Sequence, residues 1–215
     1  MKLPHKTLER NLFKSGYRYV FGVDEVGMGC LAGPVVVCAV GVTKDFYEKS
    51  HPELHGLRES KLLSAVQREK FAEELLKEKD LAYAISSVTP KTIDKINIYQ
   101  AARLGMKNAI KKLKPNFNLK TIVLVDGKTK IKGVFYEQMP IVKGDRKIFA
   151  IACASIIAKV HRDKMMVRYA KKYPNYGFEK HKGYGTKYHQ AQLIALGPCK
   201  IHRRSFRLQN TEIMI

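Results

Sequence analysis

Residues 19–34 read Tyr-Val-Phe-Gly-Val-Asp-Glu-Val-Gly-Met-Gly-Cys-Leu-Ala-Gly-Pro, and the fold follows from how this stretch divides. The apolar run Tyr19, Val20, Phe21 and Val23 predicts a strand over about 18–24 that delivers two adjacent carboxylates, Asp24 and Glu25. A turn carrying Gly27, Gly29 and Gly33 follows, and then a second apolar run predicts a strand over about 34–42. So short a connection makes the two strands antiparallel neighbours. Acidic side chains are rarely buried unless they are paired or bound to metal. Asp24 and Glu25, set among apolar neighbours, therefore call for a cation.

Two further apolar runs end in acid. Thr121-Ile-Val-Leu-Val125 stops at Asp126-Gly127, and its unbroken apolar character suits a strand buried on both faces by helices. Met139-Pro-Ile-Val142 is a weaker strand that ends at Lys143-Gly144-Asp145. The class is α/β, and strand ends of such sheets form a rim where ligands gather. If the three runs are neighbours, the carboxylates meet in one place and cannot all ionise without compensation. Oxygen donors with no His or Cys favour Mg²⁺ or Mn²⁺ over zinc. Two such ions, about 3.5–4 Å apart, would activate water and stabilise the leaving oxygen of a phosphodiester. Taken singly, Asp145 suits a helix cap and Asp126-Gly127 a turn. The three ends together favour a divalent-metal nuclease site.

Between the acidic ends the chain alternates strands with helices. Leu8, Leu12 and Phe13 give a short amphipathic turn, and residues 43–59 read as a loop. Ser64 and Gln67 have the form of a capping box for a helix to about Lys79. Leu81 to Val88 is a third strand, and Thr89-Pro90 opens a short helix. A longer helix over about Ile98–Leu113 is stopped by Pro115. A long helix is expected from about Asp145 to Lys172. On it Asp163 would sit about 27 Å from Asp145 at 1.5 Å per residue, too far to share a metal, and an ion pair with a nearby Lys or Arg suits it better.

Forty Lys and Arg stand against nineteen Asp and Glu, a net charge of +21. That balance points to a polyanionic partner, since basic surface gains affinity for nucleic acid by releasing counterions. Lys159 to Arg204 carries twelve Lys and Arg against Asp163 and Glu179, interleaved with Tyr169, Tyr173, Tyr176, Phe178, Tyr184 and Tyr188. Such interleaving suits a surface that tracks a nucleic-acid backbone. No run reaches the roughly 18 apolar residues that span a bilayer, and the first residues lack the apolar core of a signal peptide. Cys30, Cys38, Cys153 and Cys199 lack metal or disulfide spacing and read as thiols in a reducing cytoplasm. No surplus apolar stripe asks for a second copy, so a monomer is expected. The glycine turn loosely imitates a dinucleotide loop, but it leads into a strand, whereas that loop must open a helix. Glycines beside carboxylates are better read as backbone that a sugar-phosphate chain can approach, with the 2′-hydroxyl distinguishing RNA from DNA.

Gly22 to Pro34, Val125-Asp126-Gly127, Val142-Lys-Gly-Asp145, Ala154 to Val160, Arg162-Asp163, His181-Lys-Gly-Tyr184, and His202-Arg203 through Ser205-Phe206 together resemble bacterial ribonuclease HII. The matches run in family order over about residues 19–206. The resemblance implies an RNase H-like fold, a five-stranded mixed sheet flanked by helices, with residues 1–172 catalytic and 173–215 a helical substrate-binding part of the same unit. It implies Mg²⁺- or Mn²⁺-dependent cleavage of RNA in RNA–DNA hybrids and incision at single ribonucleotides in duplex DNA, leaving 5′-phosphate and 3′-hydroxyl ends. The family's four metal-binding carboxylates match Asp24, Glu25, Asp126 and Asp145. Its ribonucleotide-contacting triplet matches Gly27, Met28 and Gly29, its junction-reading tyrosine matches Tyr184, and Lys61 and Lys143 match positions near phosphates. The triplet usually carries Arg or Lys where this chain has Met28, and Arg58-Glu59 stands where Asn-Asp is usual. A non-catalytic nucleic-acid-binding protein of the same fold is the alternative, and four intact carboxylates argue against it. A DNA strand-exchange relative ranks low, because no appended DNA-binding module is visible.

Overall fold

The expected antiparallel pair forms. Strand β1 (Tyr19–Val26) lies against β2 (Val35–Val42), in register from Val20 opposite Val42 to Val26 opposite Val36. The structure is a computed structural model describing residues 4–113 and 119–208. Strand β3 (Leu81–Val88) adds antiparallel to β2, while β4 (Thr121–Asp126) and β5 (Glu137–Ile141) add in parallel on the other side of β1. The five-stranded mixed sheet has the order β3-β2-β1-β4-β5. Pro140 falls in β5, an edge strand, where a missing amide is tolerated.

Strand alternation sorts the core into two layers. Val20, Val36, Cys38, Val40, Ile122 and Leu124 face one layer, with α1 (Thr7–Lys14), α3 (Ala65–Lys77) and α7 (Phe149–Lys172). Phe21, Val23, Val37, Ala39, Val123 and Val125 face the other, with Met106, Ala109 and Ile110 of α5 (Ile98–Lys112). The first ten residues of α7 are all buried, as a helix apolar on every side should be. It approaches so closely that a Cβ on Gly22 would lie 2.3 Å from the Ala150 carbonyl carbon.

Local signals mark most boundaries. Ser64 and Gln67 form the capping box of α3 in both directions, and the Thr89 side chain caps α4 (Pro90–Ile96). Residues 43–59, read as loop, instead contain α2 (Lys44–Glu48), whose Phe46 and Tyr47 are buried against Phe13 and Phe149. The helix expected from Asp145 to Lys172 is two helices, α6 (Gly144–Lys147) and α7, separated by Ile148 in an extended conformation. Ile148 is buried and bridges to His5, so docking of the N-terminal segment fixes the break. The distance expected between Asp145 and Asp163 assumed one helix and does not apply. The ion pair expected of Asp163 is present, to Lys159 at 2.7 Å. Pro115 lies outside the described residues. Two short helices, α8 (Phe178–His181) and α9 (Lys187–Leu196), form the C-terminal part, and no helix of the described residues is long and apolar enough to cross a membrane.

Gly22→Ala would place a methyl group against α7 backbone that cannot swing aside. It is expected to cost about 2–3 kcal/mol or more, read as a lower urea midpoint with unchanged slope.

Candidate active site

Parallel pairing sets the acids level. Val23 of β1 lies opposite Val125 of β4, so Asp24 and Asp126 leave adjacent strands side by side. Asp126 pairs with Ile141 at the end of β5, and the chain turns there into α6, which carries Asp145 in its first turn. The Gly144 amide donates to Asp126 Oδ1 at 2.7 Å, which ties the start of α6 to the end of β4. Asp24, Glu25, Asp126, Asp145, Gly27, Met28, Gly29, Lys61 and Tyr184 line one cleft of about 280 Å³. Of the expected site residues, only Lys143 does not line it. That residue is exposed on a left-handed turn just before α6.

Burial and mutual repulsion dominate the electrostatics. Asp24, buried and facing Glu25 and Asp126, has its carboxyl pushed well above the ordinary range, although a Ser155 hydrogen bond opposes the shift. Glu25 is pushed up to about 7 by burial and by Asp126, with Lys61 opposing. Burial, Asp126 and Glu59 raise Asp145. Carboxylates held this close need cationic compensation, and an oxygen-only donor set fits a hard divalent ion. Glu59, also buried, is instead satisfied by Arg146 at 2.6 Å. Another gathering of ligand-type groups, His51, Glu53 and Glu78, brings His51 Nδ1 within 3.2 Å of Glu53 and 3.7 Å of Glu78. His51 Nε2 faces the Phe46 carbonyl at 2.8 Å. His51 thus links the Phe46 carbonyl to the two glutamates, a structural contact in the fold.

The glycine turn is held open to the cleft. Gly27 has φ +99, and a Cβ there would lie 2.4 Å from Arg162 Nε, whereas a Cβ on exposed Gly29 would meet nothing within 4 Å. Met28 is half-buried, packed against the cluster that holds Val35, Val88 and Ile93 while also lining the cleft. Tyr184 is 39 % exposed, with the Lys159 ammonium 5.8 Å from its ring centroid.

Sequence reading missed what holds this turn. Arg162 and Arg203 are fully buried with no carboxylate on either guanidinium among the described contacts. Arg162 donates to the carbonyls of Pro34, Ala32 and Lys182 at 2.8–3.0 Å. Arg203 donates to Gly33 and Met28 at 3.0 Å. An arginine among the apolar residues of a buried helix was the available signal for Arg162. Ser155, bonded to Ser60 at 3.0 Å, and Lys159 also line the cleft and were not picked out.

Two grooves flank the cleft. One of about 970 Å³ shares Lys159 and Tyr184 with it and adds Arg68, Lys164, Arg168, Lys180 and Lys182. The other, of about 320 Å³, shares Glu25, Met28 and Asp126 and adds Arg103 and Lys128. The acidic centre thus lies between basic channels. That arrangement suits a polyanion whose reacting group is bridged to the carboxylates by cations. All four cysteines are free thiols, three buried and Cys199 half-buried.

Comparison with known proteins gives a consistent result. The profile of the family described as Ribonuclease HII matches residues 21–209. Ribonuclease HII of Caldicellulosiruptor bescii is 50 % identical over 199 residues, 93 % of this chain and 91 % of the relative. That of Caldicellulosiruptor saccharolyticus is 48 % identical, with coverage of 93 % and 92 %. Among solved structures, ribonuclease H2 from Pyrococcus horikoshii superposes with a TM-score of 0.72 at 28 % identity, covering 88 % of this chain and 94 % of that one.

A carboxyl whose folded pKa lies above its unfolded value favours the folded state only while protonated. The stability from Glu25 is therefore complete below about pH 4.3 and is lost as pH rises through about 7. Metal-free Asp24→Asn is expected to melt several degrees above the metal-free parent at pH 8. The gap should narrow at pH 5 and on addition of Mg²⁺, as followed by thermal denaturation in chelator.

Proposed function

The chain belongs to the ribonuclease HII family and is a divalent-metal-dependent ribonuclease H, and we propose that it cuts the RNA strand of RNA–DNA hybrids and incises 5′ of single ribonucleotides embedded in duplex DNA. The observation that carries this reading is the sharing of one cleft by the four carboxylates, the glycine turn and Tyr184. In it Asp24, Glu25, Asp126 and Asp145 would hold two divalent cations, Mg²⁺ or Mn²⁺. When bound, these ions supply Lewis-acid activation of water and neutralise charge on the phosphodiester, leaving 5′-phosphate and 3′-hydroxyl ends.

The chain's own residues do the positioning. Ser155 and the Glu25 amide, which donates at 2.7 Å, orient the Asp24 carboxylate. The Gly144 amide orients Asp126. Gly29 leaves the backbone open for a ribose to approach, and Gly27 makes room for the Arg162 that holds the turn, so that the 2′-hydroxyl can be read by amide and carbonyl groups. The Met28 carbonyl is already engaged by Arg203, so backbone reading falls to the neighbouring groups of the turn. Tyr184 stacks on the sugar that follows the ribonucleotide, Lys61 steadies the phosphate at the cleft, and Lys143 meets it further along. The basic grooves track the two strands of a duplex. The cleft needs no second chain to complete it, which favours a monomer, with residues 173–208 acting as the substrate-binding part of one unit. Four free thiols and a nucleic-acid substrate favour a cytoplasmic location.

The test is a DNA duplex carrying one ribonucleotide, beside a continuous RNA–DNA hybrid, each with Mg²⁺ or Mn²⁺. Incision on the 5′ side of the ribonucleotide is expected. Asp126→Asn should lower the rate at least about 10²-fold while duplex binding in chelator is retained. Full activity of that variant would remove the carboxylate assignment, and binding without any cleavage by the parent would remove the nuclease reading.

A further inference from the structure

Three histidines sit beneath Tyr184, and their ring protons can be assigned from the backbone groups around them. His202 Nδ1 faces the Cys199 amide at 2.9 Å and must accept, so in the neutral ring the proton lies on Nε2. His189 Nδ1 faces the Tyr184 carbonyl at 2.9 Å and must donate, so its Nε2 is the free acceptor. The two Nε2 atoms are 3.0 Å apart, and these assignments put one donor against one acceptor. His181 closes the set. Its Nδ1 accepts from the Gly183 amide at 3.2 Å, and its Nε2 donates to the Tyr176 carbonyl at 2.7 Å. Only one neutral pattern satisfies every contact.

We propose that His189 is a positioning residue for substrate selection, with His202 fixing the tautomer in which His189 donates to Tyr184. They form a directional hydrogen-bond relay from the Cys199 amide to the Tyr184 carbonyl that fixes the turn presenting the Tyr184 ring. This deepens the reading of Tyr184 given above and rests on it. Adding a proton to His189 would set two N–H groups against each other, so the relay exists only while both rings are neutral. Burial lowers each to about 4, which keeps them so at neutral pH. The rings are also immobilised, with His189 stacked on His181 at 4.4 Å and edge-on to Phe178 at 5.5 Å. The same turn is tied to the glycine loop, because Tyr184 bridges to Cys30 and the Gly183 carbonyl accepts from Leu31 at 2.8 Å. A shift of the Tyr184 carbonyl therefore changes the spacing between the ring and the backbone that meets the ribose.

Two isosteres separate positioning from bulk stability. The side-chain amide of Asn overlays Nδ1 and can still donate to the Tyr184 carbonyl. The carbonyl of Gln overlays Nε2 and can still accept from His202, but nothing then donates to Tyr184. The quantity to measure is the rate on a duplex with one ribonucleotide divided by the rate on a continuous hybrid. His189→Gln is expected to lower this ratio about tenfold, within the roughly 10²-fold that a 1 Å misplacement can cost, and His189→Asn should restore it. Tyr184→Ala is run alongside. If it leaves the ratio unchanged, the role of Tyr184 falls and the relay's role falls with it. If it collapses the ratio while His189→Gln does not, the relay alone is overturned. Ring ¹⁵N spectra at pH 7 give a readout free of activity. His189 should be protonated on Nδ1, with His181 and His202 protonated on Nε2, and a His189 ring protonated on Nε2 would end the proposal.

Discussion

A bare stretch of backbone at Gly22 lets α7 lie directly on β1, and the placement of the site follows from that contact. With the Ala150 backbone seated there, a helix rising about 1.5 Å per residue acts as a ruler. Ser155 arrives at Asp24, Lys159 at the cleft, Arg162 under the glycine turn and Met166 against Gly33 and Gly183. Small residues Ala150, Ala152, Ala154 and Ala158 keep the helix close enough for these contacts. One helix thus indexes the carboxylates and the glycine turn of the cleft against the same strand.

Two kinds of charge are buried here for opposite ends. The carboxylates repel one another and weaken the metal-free fold, an arrangement that suits the uptake of cations. The buried arginines stabilise a turn whose carbonyls point inward and would otherwise lack donors. A guanidinium spreads five N–H groups over a planar fork and so reaches separated carbonyls at once, whereas lysine offers its three donors from a single nitrogen. Both the site's affinity for cations and the rigidity of its rim therefore depend on groups that exposure would make useless.

Much of this was legible in the sequence, for identifiable reasons. Apolar runs are strong signals, and Asp24, Glu25, Asp126 and Asp145 were picked out because three such runs end in acid. The five strands came from the same pattern, and capping chemistry at Ser64 and Thr89 fixed helix starts. The break at Ile148 was not legible, because nothing local to Asp145–Lys172 forbids a helix. The residue is pulled out by a bridge to His5, far along the chain. Helix α2 was hidden by its length, since five residues carry little periodicity and Phe46 and Tyr47 are ordered by Phe13 and Phe149. Arg162, Arg203 and the histidine relay act on backbone carbonyls, and no side-chain pattern records which carbonyls a fold leaves in need of donors.

The glycine loop is closed by partners far downstream. Its amide at Gly33 donates to Ile201, the Arg203 amide donates back to Leu31, and Arg203 reaches Gly33 across 170 positions of sequence. The sheet and α7 can assemble from residues up to about 172, whereas the rim of the cleft cannot. During synthesis the four clustered carboxylates can therefore be in place before the glycine turn beside them is closed. Contacts of such separation form late. The order of emergence leaves the rim of the cleft unorganised until residues 201–203 have been made.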